Sequence, residues 1–259
     1  MAGTRVFGRI VLLAAILSVL AGCGAFFGFN AFAGIDKAPP PDPARYQGPG
    51  GLANLQTDLE SPSVVAAMKN DPQAVNQILN NLNTSYGLTT TPITTPDQQT
   101  AAILYSQLAL QSTSGDVLVN NIVTTVINNP SGNLQSMLAS IVPPDVAADP
   151  VKFTAMVNNL LAAETVYVNL GTNLNPSFPP PGMNMGDVAQ KAAVSLLMKT
   201  IYDAATAKVG AGNEITNLFA LINNQPSNGL DKVTITDPYN PMPTWLKNIF
   251  DAAGAPYPA

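Results

Sequence analysis

Asp71-Pro72-Gln73-Ala74-Val75-Asn76-Gln77-Ile78-Leu79-Asn80-Asn81-Leu82 is the stretch from which the fold is read. Asp followed by Pro marks a helix start, because the carboxylate accepts from the first free N–H groups and Pro fits a first turn whose donors have no helical partner. Val75, Ile78, Leu79 and Leu82 then recur at the spacing that lines one helix face. The same construction returns without a gap at Asp149-Pro-Val-Lys-Phe-Thr-Ala-Met-Val-Asn-Asn-Leu160, where Phe153, Met156, Val157, Leu160 and Leu161 form the stripe. A weaker copy at Glu214 to Asn224 keeps Leu218, Leu221, Ile222 and an Asn pair.

Working outward, the pattern stays helical from Leu52 onward. Thr95 or Asp97 opens a second long helix with Ala101, Leu104, Tyr105 and Leu108 on its buried side, and Ser112 to Gly115 breaks it. Further helices are predicted over Val117 to Ile127 and Leu134 to Val142, separated by Asn129-Pro-Ser-Gly132 and closed by Pro143-Pro144. Asp187 to Val209 is the longest candidate and Glu214 to Asn223 a shorter one, after a loop at Asn175 to Gly182 that holds four prolines. The tail is expected to carry a strand at Val233 to Thr236 and an amphipathic set made of Trp245, Leu246, Ile249 and Phe250. The predicted fold is all-α, an irregular multi-helix bundle of antiparallel helix pairs, with a degenerate helical repeat as a further expectation. The helical domain spans 52–259, with a possible subdomain boundary at 175–186.

Composition narrows the chemistry. The chain of 259 residues is 46% hydrophobic, enough for a core, yet only 10% of its residues are charged, so Asn, Thr, Ser, Gln and Pro supply the polarity. There is no His and a single Cys. A Ser-His-Asp triad, a His-ligated zinc site, a haem attachment motif and an internal disulfide are all excluded. No nucleophile elbow, Walker loop or EF-hand loop occurs, no cofactor is expected, and the protein is expected not to be an enzyme. Asp145 with Asp149, or Asp231 with Asp237, could meet on loops to hold a metal, but nothing in their spacing argues for that role. The excess of acid over base leaves no basic face for nucleic acid and no polybasic run for anionic lipid.

The first residues have an address of their own. Arg5 and Arg9 precede an apolar run from Ile10 to Leu20, and Leu20-Ala21-Gly22-Cys23 follows at once: basic, then apolar, then small, the order of a secretory signal. Leu20 to Cys23 resembles the lipobox of bacterial lipoproteins, and the resemblance covers residues 1–23 alone. It implies a signal peptide at 1–22, cleavage between Gly22 and Cys23, and lipidation of the Cys23 thiol. The chain would then contact the bilayer through acylated Cys23. Gly24 in place of Asp implies the outer membrane if the source has two membranes, facing the periplasm or the cell surface. Phe26, Phe27, Phe29 and Phe32 would lie at the membrane interface or pack on the body. The Pro- and Gly-rich residues up to Gly51 complete a tether over 23–51. The alternative is a retained membrane helix within 10–34, where Gly24 and Gly28 fit the small-xxx-small pattern.

Three features of the body have both a bland and a functional reading. Five Asn-Asn pairs, at 80–81, 120–121, 128–129, 158–159 and 223–224, are helix stops and polar helix faces, or a row of amides that binds glycan or another subunit. Glu164, one of three Glu, is a polar helix position or a weak candidate catalytic acid for glycan hydrolysis, if burial raises its pKa. Trp245 in its Pro-rich surroundings either plugs the core or docks a partner. The function expected is a membrane-anchored envelope lipoprotein with a non-catalytic structural or protein-interaction role, contacting envelope proteins or glycan. The alternative is a small-molecule or glycan-binding lipoprotein with a pocket between helices.

Overall fold

The computed structural model describes residues 38, 40–90, 92–128, 134–233, 235 and 238–255. Helices account for its regular structure, and no strand occurs among the described residues. In chain order the α-helices are α1 Gly51–Leu59, α2 Pro62–Lys69, α3 Pro72–Tyr86, α4 Pro96–Ser112, α5 Gly115–Asn128, α6 Leu134–Ile141, α7 Pro144–Ala147, α8 Pro150–Asn173, α9 Met185–Val209, α10 Glu214–Ile222 and α11 Thr244–Ala252. Short 3-10 turns at Pro43–Tyr46 and Leu230–Lys232 precede α1 and α11 respectively.

Local chemistry starts the long helices. The Asp71 carboxylate accepts from Ala74 N at 3.0 Å, and Asp149 from Val151 N at 2.8 Å and Lys152 N at 3.2 Å. Of the two candidates at the start of α4, Thr95 is the cap: its hydroxyl accepts from Gln98 N at 3.2 Å while the Gln98 amide oxygen accepts from Thr95 N at 3.1 Å. The reciprocal pair satisfies two N–H groups that the helix leaves open. At the C-terminal ends, Gly87 and Asn224 adopt left-handed conformations at φ 64° and 55°, which the sequence supplies through Gly and Asn.

Helix α8 is the axis of the bundle, packed against α4, α9 and α11 and also touching α5, α7 and α10. α4 is in turn surrounded by α1, α2, α3, α5 and α8. Their burial follows: Ala101 to Ser106 and Leu108 to Leu110 of α4 are enclosed on every side, as are Val188 to Ser195 of α9. A helix covered all round needs no polar stripe, which explains why burial in α4 extends well beyond the stripe anticipated for it. The pairs run antiparallel. Asn159 of α8 reaches Ala109 of α4 whereas Tyr167, further along α8, lies by Ser106; likewise Glu164 faces Lys199 and Asp203 of α9 while Tyr167 faces Asp187.

The loop between α8 and α9 contains the segment considered as a subdomain boundary at 175–186. The two helices it joins pack on each other inside one continuous core. The anticipated third repeat unit and its two partners occupy unlike places: α3 packs on α2 and α4, α8 is the axis, and α10 lies against α6, α8 and α9. The resemblance therefore reports a shared helix start in α3 and α8 and an apolar stripe common to all three.

Two expectations are corrected. Val233 and Ile235 belong to no strand, and Thr234 and Thr236 lie outside the described residues. Val233 is extended, at φ −75° and ψ 130°, as β-branched residues favour, but no neighbouring strand offers a ladder. The packed body also begins ahead of Leu52, inside the stretch read as tether. Tyr46 is buried, its hydroxyl donates to Asp58 at 3.0 Å, and Arg45 Nε lies 3.1 Å from the same carboxylate. An aromatic side chain and a salt-bridged arginine thus clamp this end of the segment onto α1.

Candidate functional site

Cys23 and Gly22, with the whole of 1–37, lie outside the described residues, as do Asn129 and Asp237. Among the described residues no helix is long and apolar enough to cross a membrane. No group of three or more Cys, Asp or Glu side chains converges there to hold a metal ion. Asp149 is the cap of α8, and Asp145 pairs with Lys152 at 3.2 Å.

The carboxamides are the most consistent feature of the interior. Asn121 of α5 donates to Ile141 O, the last residue of α6, at 2.9 Å. Asn159 of α8 donates to Ala109 O in the last turn of α4 at 2.9 Å, and Asn223 to Ala147 O, the last residue of α7, at 3.0 Å. Asn248 of α11 closes the last turn of α8 at Gly171 O, 2.8 Å, and Gln135 of α6 reaches Leu221 O in the last turn of α10 at 3.2 Å. Asn169 donates to Leu88 O, just beyond α3, at 2.9 Å.

The final four carbonyls of a helix have no partner within it, and basic side chains often supply one. Here only α2 and α9 carry a Lys in the last turn, and the other described helices carry no basic residue there. Uncharged amides from neighbouring helices take over that task. Of the paired asparagines, Asn121, Asn159 and Asn223 are thereby engaged inside the fold, while Asn80, Asn120 and Asn158 face solvent. Sequence reasoning singled out these pairs but missed Asn169, Asn248 and Gln135. Asn169 and Asn248 stand beside buried positions of apolar-periodic helices, and that was the available signal.

Glu164 of α8 is 8% exposed and feels the charges of Lys199 and Asp203 of α9, which pair with each other at 2.6 Å. Desolvation raises its pKa above the ordinary value; Lys199 opposes that shift and Asp203 reinforces it. A second acid, Glu214, accepts from the Tyr202 hydroxyl, which holds the carboxyl below the usual range. The two glutamates are thus shifted in opposite directions.

A polar spot lies deeper, where α8 meets α4 and α9. Tyr167 is completely buried, its hydroxyl lies beside that of Ser106, and neither group makes a hydrogen bond of normal geometry. Burial pushes the Tyr167 phenol far up, with Asp187 adding to the shift and Ser106 opposing it. Asp187 itself pairs with the nearly buried Lys191 at 2.6 Å. Nothing in the apolar setting of Tyr167 in the sequence announced this spot.

Trp245 is half-buried against the core, and its backbone carbonyl is pressed onto Gly171 so closely that a Cβ there would meet it at 2.2 Å. Its position serves the junction of α11 with α8. No protein-family model, no curated protein and no solved structure matches the chain.

Proposed function

We propose that the protein is a lipoprotein held in a bacterial envelope membrane by acylated Cys23, with a helical body that has a non-catalytic structural or protein-interaction role. The observation that carries this reading is the only Cys of the chain standing at the end of Leu20-Ala21-Gly22-Cys23, directly after a basic and then an apolar segment. Gly24 favours the outer membrane where two membranes exist. The internal engagement of Asn121, Asn159 and Asn223 leaves them out of any glycan-binding row, so the partners favoured for the body are envelope proteins.

The test is the intact mass of membrane-extracted protein, wild type against Cys23→Ala. Wild type should begin at Cys23 with added acyl mass, and the variant should retain its first 22 residues. A wild-type chain that keeps Met1 to Gly22 and carries no lipid overturns the reading in favour of a single-pass membrane protein.

A further inference from the structure

Phe178 is the one described aromatic side chain that stands exposed, at 75%, at the tip of the loop between α8 and α9. The loop is built to present it. Asn175 organises a tight turn, its side chain accepting from Ser177 N and its carbonyl from Phe178 N, each at 3.0 Å. Pro176, Pro179, Pro180 and Pro181 restrict the backbone on both sides, and Pro180 is buried as a foot. From Leu174 to Gly186 the loop and its approach to α9 hold no charged residue.

The position of this loop suggests what covers it. Gln56 of α1 donates to Gly182 O at 3.4 Å, so the loop borders the helix on which the chain enters the body through Arg45, Tyr46 and Asp58. Half-buried Trp245 lies against Gly171, near the same end of α8, and Pro238 to Leu246 around it is again free of charge. An exposed Phe on an uncharged loop, with a Trp in a second uncharged stretch near the same helix end, is a composition suited to the lipid headgroup region. Fourteen residues lie between Cys23 and Ala38, a span of at most about 54 Å when extended. A lipid-anchored body is thereby confined near the bilayer, where a single weak contact is enough to orient it.

We infer that the end of the bundle carrying Phe178 rests on the lipid surface, with the Phe178 ring inserted at the interface as a second contact beside the acyl anchor. The inference rests on the proposed acylation of Cys23. It gives the body a fixed face towards the membrane and turns the opposite end, where α9 finishes, outward.

The test uses acylated full-length protein in vesicles of phosphatidylethanolamine and phosphatidylglycerol with brominated acyl chains. Because Cys23 is consumed by lipid, a new Cys is a unique labelling site. Ser177→Cys and, as a control at the far end of α9, Ala207→Cys are each labelled with a nitrobenzoxadiazole dye; both residues are exposed. The dye at 177 should shift to the blue and lose intensity to bromine, the dye at 207 should do neither, and adding Phe178→Asp should abolish the response at 177. Vesicle-bound, acylated protein with no quenching at 177, or with equal quenching at 177 and 207, overturns the inference and leaves the anchor standing. A chain that lacks acyl mass and does not float with the vesicles overturns both.

Discussion

Asn121 Nδ2 donates to the Ile141 carbonyl oxygen at 2.9 Å, so a side chain from within α5 closes the end of α6. Among the described bonds this is the one that carbonyl accepts from another element, and α6 has no basic residue in its last turn. Replacing Asn121 by Leu keeps the size of the side chain and leaves the carbonyl open. A loss of about 1–3 kcal/mol is expected in urea unfolding, the usual penalty for a polar group enclosed without a partner.

Gly171→Ala runs against helix propensity. Ala is the better helix former by about 1 kcal/mol, yet here its Cβ would fall 2.2 Å from Trp245 O and 2.8 Å from Trp245 C, both backbone atoms. Overpacking of about 1–3 kcal/mol should prevail, and thermal unfolding should show a lower Tm. An unchanged Tm would mean that α11 rides loosely on α8.

Tyr167→Phe is expected to be neutral or stabilising. The phenol hydroxyl is enclosed, and the Ser106 hydroxyl beside it makes no hydrogen bond of normal geometry with it, so removing it relieves desolvation while the ring stays in place. Urea unfolding at neutral pH reads the change. A loss above about 1 kcal/mol would reveal a bound water satisfying that hydroxyl.

Glu164 makes stability depend on pH. Its carboxyl has a higher pKa in the folded chain than in the unfolded one, so the folded state binds the extra proton. The stability associated with that proton is complete below the unfolded value near 4.5 and is lost as pH rises through the folded one. Glu164→Gln should therefore gain stability relative to wild type at neutral pH and match it in acid, as measured by denaturant midpoints across the range. A constant difference at all pH values would rule out titration of Glu164 as the cause.

Asp149→Ala removes the cap of the axial helix. Two N–H groups lose their acceptor, and a loss of about 0.5–2 kcal/mol is expected in the same unfolding measurement. Asp71→Ala frees a single N–H at the head of α3, so it should cost less.

What the sequence disclosed was local in origin. Asp71-Pro72 and Asp149-Pro150 could be read because a cap is settled by residues two or three apart. Asn223 and Asn224 could be read as a stop because Asn tolerates the left-handed backbone. The roles of Asn159 and Asn169 could not, since the carbonyls they meet belong to residues 50 and 81 positions away and are defined only by packing. The strand expected from Val233-Thr-Ile-Thr236 failed for the same kind of reason: propensity yields an extended backbone, whereas a strand needs a partner. Glu164 was visible as a rare acid in an apolar run, but the charges of Lys199 and Asp203 that act on it reach it only through the packing of α9 on α8.

A helix end closed by a carboxamide has no charge to screen and no proton to lose. Salt weakens interactions between exposed ions, and alkali discharges lysines, but neither reaches the amides of Asn121, Asn159, Asn223 and Asn248. Those four helix ends are accordingly closed by contacts that changes in ionic strength and alkalinity leave in place.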